Sequence, residues 1–145
     1  MKKNEARKEF RIPSDLTEVP NTSVQVLKFL KPLGLKEAVF FDIRLCLEEA
    51  LINAMKYGNE FKKEVPVLLT VEYDAKQVRI NIEDKGKGFN VKKIKDCTEK
   101  ENLARGGGRG VYLIRQLMDK VTYNSKGNRL QMVKVLSEKP KAPRK

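Results

Sequence analysis

Two stretches in the middle of the chain most constrain what it can fold into. Residues 67–73 and 78–82 place an apolar side chain at every second position, and a short turn at residues 74–77 joins them. Because successive side chains of a strand point to opposite faces, this pattern predicts an antiparallel hairpin with one buried face. A sheet that is apolar on one face needs a second layer to cover it.

Helices are predicted to supply that second layer. Residues 36–57 carry apolar side chains at spacings of three and four, and the pair Gly58-Asn59 is a suitable C-terminal stop. An earlier helix is expected after Ser14 or Asp15, each of which is a candidate N-cap. The long helix is the clearest helical pattern in the chain.

The remaining elements complete an α+β pattern. A helix is predicted at residues 111–118, and short strands are predicted at residues 10–12, 121–123 and 130–136. Residues 84–110 hold most of the glycines and few large apolar side chains, so they are expected to form a long functional or disordered loop. These elements predict a two-layer α+β sandwich with helices packed on one face of a sheet.

The chain length fits one domain, because 145 residues can bury a single core without disulfides or metals. We expect a basic N-terminal segment at residues 1–9, a folded domain at residues 10–136 and a disordered basic tail at residues 137–145. No apolar run is long enough to cross a bilayer, and the first ten residues lack the apolar core of a secretory signal. A cytoplasmic protein without membrane contact is therefore expected.

Composition removes several classes of chemistry. The chain has no histidine, which excludes His-based catalytic triads and a phosphoacceptor histidine on this chain. Cys46 and Cys97 are far apart and have no CxxC partner, so neither a zinc site nor a disulfide framework is predicted, and Cys46 is expected in the core. The net charge of +12 attracts polyanions in general. The basic and aromatic residues do not interleave as in proteins that stack bases, so nucleic acid stays a minority alternative.

Three polar clusters carry the candidate chemistry, and the first lies on the long predicted helix. Glu49 and Asn53 stand four residues apart and share a face, with Lys56 and Tyr57 about one turn further along. An Asn oxygen can complete the oxygen shell of Mg²⁺ together with phosphate oxygens. Glu49 could accept a proton from a water or a hydroxyl, and Lys56 could contact a phosphate. For this stripe alone, a solvated polar helix face is the favoured alternative.

The second cluster follows the predicted hairpin. Asp84 comes directly off the second strand, and Gly86 and Gly88 permit a tight turn with close approach of a ligand to the backbone. A buried carboxylate here could accept a hydrogen bond from an exocyclic amino group such as that of adenine. An ordinary turn is the alternative, because Asp and Gly are favoured in turns.

The third cluster is the run Gly106-Gly107-Gly108-Arg109-Gly110, which precedes a predicted helix. Glycine-rich backbone that leads into a helix offers N–H groups and a positive dipole end to phosphates, whereas a flexible linker is the alternative. The run is not a Walker motif, because no Gly-Lys-Ser or Gly-Lys-Thr occurs. The three clusters, taken in their order along the chain, indicate a nucleotide pocket.

The clusters resemble the motifs of a known ATPase superfamily. Glu49-x-x-x-Asn53-x-x-Lys56-Tyr57, Asp84-x-Gly86-x-Gly88-Phe89 and Gly108-Arg109-Gly110-Val111 are similar to the N, G1 and G2 boxes of the Bergerat-fold (GHKL) ATPases, which include gyrase, Hsp90, histidine kinases and MutL. The resemblance spans about residues 10 to 136 and implies helices on one face of a mixed, mostly antiparallel sheet. The small size and the sequences at residues 48–54 and 110–119 look most like bacterial anti-sigma factors with serine-kinase activity.

That resemblance implies a role for each cluster. Glu49 would be the catalytic base that activates a serine hydroxyl, Asn53 the Mg²⁺ ligand and Asp84 the adenine contact. Residues 85–107 would form a lid that closes over ATP. The other cofactor-binding residues would be Lys56, Tyr57, Gly86, Gly88, Arg105, Gly106, Gly107, Gly108, Arg109, Gly110 and Val111.

The sequence departs from the anti-sigma pattern in two places. Lys56-Tyr57 follows the histidine-kinase form of the N box, where the anti-sigma kinases often have a histidine. The glycine run is richer than the usual G2 box, which leaves its alignment open. Arg105 or Arg109 could touch the γ-phosphate, or either could lie on the lid surface.

The resemblance also implies partners. The expected function is a serine/threonine protein kinase that sequesters a sigma factor and phosphorylates an anti-anti-sigma partner of the STAS type. A homodimer through the sheet edge or its outer face is implied as well. One alternative is a non-catalytic module that binds nucleotide and switches partners through its lid. A weaker alternative is a nucleic-acid-binding domain with a steep salt dependence.

Overall fold

The structure is a computed structural model that describes residues 5–86 and 107–136, with residues 107–109 described by their backbone alone. Its strands, numbered along the chain, are β1 (Ala6–Ile12), β2 (Val67–Tyr73), β3 (Gln77–Glu83), β4 (Lys120–Tyr123) and β5 (Arg129–Val135). Its helices are α1 (Glu18–Leu30), α2 (Glu37–Asn53) and α3 (Gly107–Leu117). A 3₁₀ turn at Lys31–Leu33 follows α1, and a π-helical turn at Ala54–Gly58 continues α2.

The strands form one sheet in the order β1-β2-β3-β5-β4, and all four pairings are antiparallel. The predicted hairpin is confirmed, because β2 pairs with β3 in a register that sets Val71 opposite Ile80. Residues of β2 alternate between buried and half-buried from Val67 to Glu72, as the period of two requires. The predicted α+β class is therefore confirmed.

One face of the sheet packs against the helices and forms the core. Leu47 and Leu51 of α2 and Ile114 of α3 are fully buried, and they belong to one apolar cluster with Leu69 and Ile80 of the sheet. Cys46 is buried in the same cluster, as predicted. No helix in the described ranges is both long and apolar enough to span a membrane.

Two expectations about helix starts are wrong. Neither Ser14 nor Asp15 caps α1, which begins after Thr17. Asp15 instead accepts hydrogen bonds from the N–H and the hydroxyl of Thr17 (3.0 and 2.8 Å), and the Ser14 hydroxyl donates to the Val65 carbonyl at 2.6 Å. The last helix begins at Gly107 rather than Val111, so the end of the expected loop is helical.

Candidate functional site

The end of α2 and the start of α3 meet at a glycine. A Cβ atom added to Gly110 would lie 2.6 Å from Nδ2 of Asn53 and 3.2 Å from Oε2 of Glu49. Gly110 is itself buried, and Glu49 and Asn53 are half-buried on α2. Only a residue without a side chain allows this approach, because real Cβ contacts are not shorter than about 3 Å. The third cluster therefore packs directly on the first.

The π-helical turn changes the direction of the side chains after Asn53. The N–H of Asn59 donates to the Ala54 carbonyl at 2.9 Å, a bond that spans five residues instead of four. Because a π turn has more residues per turn than an α-helix, α-helical spacing does not describe the positions of Lys56 and Tyr57. Both are exposed, and Nζ of Lys56 lies 5.2 Å from the centre of the Tyr57 ring. Such π turns occur frequently at functional sites.

The chain reverses just beyond the π turn in an unusual conformation. Glu60 and Phe61 have φ angles of 51° and 57°, the left-handed region that side chains other than glycine rarely adopt. The Phe61 N–H donates to the Met55 carbonyl at 2.8 Å, which fixes the reversal against the π turn. Residues held in sparsely populated backbone regions concentrate at functional sites. This reversal brings the carbonyls of Val65 and Pro66 within reach of the Asn59 side chain.

The second cluster joins the first at Gly58. Asp84 follows β3, and its Oδ1 accepts a hydrogen bond of 2.8 Å from the Gly86 N–H. A Cβ atom on Gly58 would collide with the carboxyl group of Asp84, and one on Gly86 would collide with the backbone of Gly58. Gly58 and Gly86, neither of which has room for an added carbon, therefore meet beside Asp84 just beyond the end of α2. Gly58 was predicted only as a helix stop, and its packing role was not evident from the sequence.

The Asp84 carboxyl group is only partly accessible to solvent. Burial raises its pKa above the usual value of 3.8, and the nearby charge of Glu83 acts in the same direction. The Gly86 N–H and the Lys126 ammonium oppose this shift. A partly desolvated carboxylate is a strong hydrogen-bond acceptor, which suits recognition of an amino group.

Two asparagines that were not predicted as site residues hold the backbone at Asp84. Oδ1 of Asn59 accepts from the Lys85 N–H at 2.7 Å, and Nδ2 of Asn128 donates to the Asp84 carbonyl at 3.1 Å. The Asp84 N–H in turn donates to the Asn128 carbonyl at 2.9 Å. Asn59 had been predicted only as part of a helix stop, and no role had been predicted for Asn128. No local pattern marked either residue, because both stand in turns beside glycine and charged residues.

The residues at the end of α2 fit a magnesium ion held mainly by phosphate oxygens. Among the described residues, no group of three or more His, Cys, Asp and Glu side chains could hold a metal by itself. Mg²⁺ commonly takes one or two protein ligands and completes its shell with water and phosphate. Glu49 and Asn53 place a carboxylate and an amide together beneath the first turn of α3. Asn53 offers one amide oxygen to a metal, with the Glu49 carboxylate beside it, so a magnesium ion here would take most of its ligands from phosphate and water.

The remaining predicted site residues differ in what can be said of them. Gly88, Arg105 and Gly106 lie outside the described residues, as does most of the predicted lid at residues 85–107. The backbone of Gly107, Gly108 and Arg109 forms the start of α3, and Val111 is buried on the same helix. The glycine run thus supplies a helix N-terminus, which is the feature expected of a phosphate site.

Comparison with known proteins shows similarity along almost the whole chain. The family model of the histidine kinase-like ATPase domain matches residues 12–134. The serine-protein kinase RsbW of Staphylococcus aureus (strain MRSA252) is 28% identical over 138 residues, which cover 90% of this chain and 87% of that protein. The serine-protein kinase RsbW of Staphylococcus epidermidis is 27% identical with the same coverage, 90% and 87%. All three motif clusters lie within the matched range.

Proposed function

The chain belongs to the family of histidine kinase-like ATPase domains, and from that premise we propose that it is an ATP- and Mg²⁺-dependent serine/threonine protein kinase. The observation that carries the proposal is the contact of Gly110 with Glu49 and Asn53. This contact brings the Glu49 carboxylate and the Asn53 amide to the N-terminal turn of α3, where the terminal phosphate of ATP would lie. The likeness to relatives named serine-protein kinases supports the choice of hydroxyl acceptor.

Each side chain has a defined task in the proposed transfer. Asn53 would hold the metal through its amide oxygen, and Asp84 would accept a hydrogen bond from the adenine amino group. Glu49 accepts the proton of the acceptor hydroxyl while the oxygen of that hydroxyl attacks the γ-phosphorus. The bond between the γ-phosphorus and ADP breaks, and ADP leaves with the electrons of that bond. Bound Mg²⁺ would neutralise charge on the phosphates. The N-terminal turn of α3 directs backbone N–H groups toward phosphate oxygens.

The other candidate residues complete the nucleotide site. We propose that Gly86 and Gly88 let the chain pass close to the nucleotide and that residues 85–107 close over it. Lys56 and either Arg105 or Arg109 would contact phosphates, and Tyr57 would flank them. Gly106, Gly107 and Gly108 would contribute the phosphate-binding backbone together with Gly110 and Val111.

The proposed partners follow from the relatives and from the resemblance of the motifs. The acceptor is a serine of a small anti-anti-sigma protein of the STAS type. This chain also sequesters a sigma factor, and the unphosphorylated anti-anti-sigma protein causes its release. A homodimer through the sheet is part of the same proposal. A protein that binds ATP and a partner without transferring phosphate would instead be a non-catalytic switch module.

The central experiment combines binding with phosphotransfer. The purified chain is titrated with Mg-ATP and then incubated with labelled ATP and candidate STAS proteins, and mass spectrometry locates any phosphoserine. We expect Glu49→Gln and Glu49→Ala to lower transfer by about 10²- to 10⁴-fold with ATP affinity largely intact, because they remove only the base.

The neighbouring carboxylate provides a matched control. Glu48 is also half-buried on α2, but its position four residues before Ile52 directs it away from Asn53. Glu48→Gln is therefore expected to transfer phosphate at the normal rate. No ATP binding at millimolar concentration would rule out the ATPase site, and ATP binding with no transfer to any STAS protein would favour the switch module. Salt-dependent nucleic-acid binding without ATP would favour the third alternative.

A further inference from the structure

The peptide unit between Asp84 and Lys85 is held on both sides by asparagine side chains. Its N–H donates to Oδ1 of Asn59 at 2.7 Å, and its carbonyl oxygen accepts from Nδ2 of Asn128 at 3.1 Å. A peptide unit is planar, so fixing both of its polar groups fixes the orientation of the whole plane. The backbone that carries the Asp84 carboxylate is therefore set from two directions.

The amide orientation of Asn59 is determined by its other neighbours. Its Nδ2 lies 3.0 Å from the Ser14 hydroxyl oxygen, 3.1 Å from the Val65 carbonyl oxygen and 3.3 Å from that of Pro66. All three oxygen atoms can accept a hydrogen bond. The Nδ2 atom of Asn59 must therefore face them, and its Oδ1 atom must face the Lys85 N–H. The side chain is 4% exposed, and water cannot easily replace these partners.

Asn128 is fixed in the same manner from the turn between β4 and β5. Its Oδ1 accepts from Nδ2 of Asn124 at 2.8 Å, which leaves its own Nδ2 to donate to the Asp84 carbonyl. Asn124 also accepts from the backbone N–H groups of Gly127 and Asn128, at 2.8 and 3.1 Å. Each asparagine is thus held in place by its own set of hydrogen bonds.

We propose that Asn59 and Asn128 are positioning residues that aim the Asp84 carboxylate at the base of the bound nucleotide. The inference rests on the proposed function and refines it, because it assigns base recognition to a clamp on the Asp84–Lys85 peptide. One oxygen of Asp84 is committed to the Gly86 N–H at 2.8 Å, so recognition depends on how the rest of the carboxyl group is directed. Loss of either asparagine removes one of the two bonds that set the peptide plane, so the plane can tilt and the carboxylate is misdirected.

The clamp should affect recognition of the base and not of the phosphates. The residues proposed to face the phosphates and the metal, Asn53 and Gly110, lie on α2 and α3 and contact each other, whereas the Asp84–Lys85 peptide is bonded to Asn59 and Asn128. Purine riboside triphosphate, which is ATP without the exocyclic amino group, isolates the hydrogen bond to Asp84. We expect the wild-type protein to bind ATP about 10- to 100-fold more tightly than this analogue.

The test measures dissociation constants for Mg-ATP and for the analogue in Asn59→Ala, Asn128→Ala and Asp84→Asn. We expect all three variants to lose affinity for ATP but not for the analogue, so that the preference falls to within about threefold of unity. Thr22→Val is the matched control, since it removes a buried hydroxyl that donates to the Glu18 carbonyl at 2.8 Å in α1. It should keep the wild-type preference.

A merely structural role would lower both affinities together and keep their ratio, and that result in both asparagine variants would overturn the proposal. If Asn59→Ala does not fold, Asn128→Ala tests the same peptide from its other side. A wild-type protein that binds neither triphosphate would remove the proposed function itself. Suppose that the wild-type protein prefers ATP, that Asp84→Asn loses this preference and that both asparagine variants keep it. That result would contradict the clamp and leave the proposed function intact.

Amide hydrogen exchange provides a readout that needs no nucleotide. The Lys85 N–H is bonded to Asn59 in the free protein, so it should be protected in the wild-type protein and exchange faster in Asn59→Ala. Thr22→Val should leave it protected. Equal protection of the Lys85 N–H in wild type and Asn59→Ala would contradict the clamp.

Discussion

The two ends of α2 are both joined to α3, but by different chemistry. At the C-terminal end, Glu49 and Asn53 touch Gly110 and remain half-buried. Nearer the N-terminal end, Asp42 lies 3.4 Å from Nζ of Lys134, with side-chain exposures of 2% and 3%. The same Nζ donates to the carbonyl of Leu117, the last residue of α3, at 2.7 Å. One junction leaves polar groups accessible to a ligand, and the other seals them in the core.

The difference separates function from stability within one helix pair. A buried charge is tolerated only with partners, and Lys134 has both a carboxylate and a helix C-terminus, whose negative dipole end favours a cation. At the other end, the Glu49 carboxylate and the Asn53 amide face Gly110, which has no side chain. We infer that the Asp42 end contributes mainly to the stability of the packed helices, while the Asn53 end presents polar groups to the proposed nucleotide site.

The largest effect is expected from breaking the buried pair. Lys134→Met leaves Asp42 with a buried charge that has lost this partner, so the free energy of unfolding should fall by about 3–5 kcal/mol. Urea denaturation measures the loss. ATP affinity of the remaining folded protein should change by less than about twofold, because an effect on stability alone does not alter the pocket.

The double variant Lys134→Met/Asp42→Leu is the control, since it removes both charges. It should recover most of the lost stability, because replacing a buried pair with apolar side chains is often neutral. If the single change costs less than about 1 kcal/mol, the pair is not the structural junction described above.

Filling the space at Gly110 should have a smaller effect on stability and a larger one on binding. Gly110→Ala places a carbon 2.6 Å from Nδ2 of Asn53, and overpacking of this kind costs about 1–3 kcal/mol. The displaced amide should weaken Mg-ATP binding by at least about tenfold, measured by calorimetry.

Gly34 offers the matched control for an added methyl group. Its φ is +60°, and no atom lies within 4 Å of an added Cβ, so alanine is strained there but unobstructed. Gly34→Ala should cost about 1–2 kcal/mol and leave ATP affinity unchanged. Equal binding losses in both variants would show that general destabilisation, and not the contact with Asn53, weakens the nucleotide site.

The smallest change in stability is expected at Asp84, where function and stability should oppose each other. Burial raises the pKa of this carboxyl group, so the folded state favours the protonated form. Its contribution to stability is then fully present below the unfolded pKa of 3.8 and is lost as the pH rises through the higher folded pKa. Asp84→Asn carries no charge and should therefore gain stability relative to wild type as the pH rises.

Urea denaturation between about pH 3 and pH 7 checks this sign, and ATP titration checks the cost to function. The variant should be at least as stable as wild type at neutral pH and bind ATP about 10- to 100-fold more weakly. A variant that is less stable than wild type at pH 7 would contradict the role of burial at this carboxylate.

The local elements followed from the sequence more readily than the contacts between them. The hairpin of β2 and β3 and the helix through Glu49 and Asn53 have short periods that any window of ten residues displays. The start of α3 was missed because glycines disfavour helices in isolation, and packing against α2 overrides that preference. Lys134 occupies a buried position of β5 between Val133 and Val135, and this lysine within an apolar strand was a sequence signal of a buried ion pair.

The sequence by itself determined the class of fold, the order of the three clusters and the chemistry that each could perform, because periodicity and residue type are local properties. Only the tertiary structure decided that Gly110 touches Asn53 and that Gly58 touches Asp84. It also decided the partners of Asn59, Asn128 and Lys134, which bond to groups 26, 44 and 92 positions away in the sequence. Such pairings depend on how the helices and strands pack, and no local pattern specifies them.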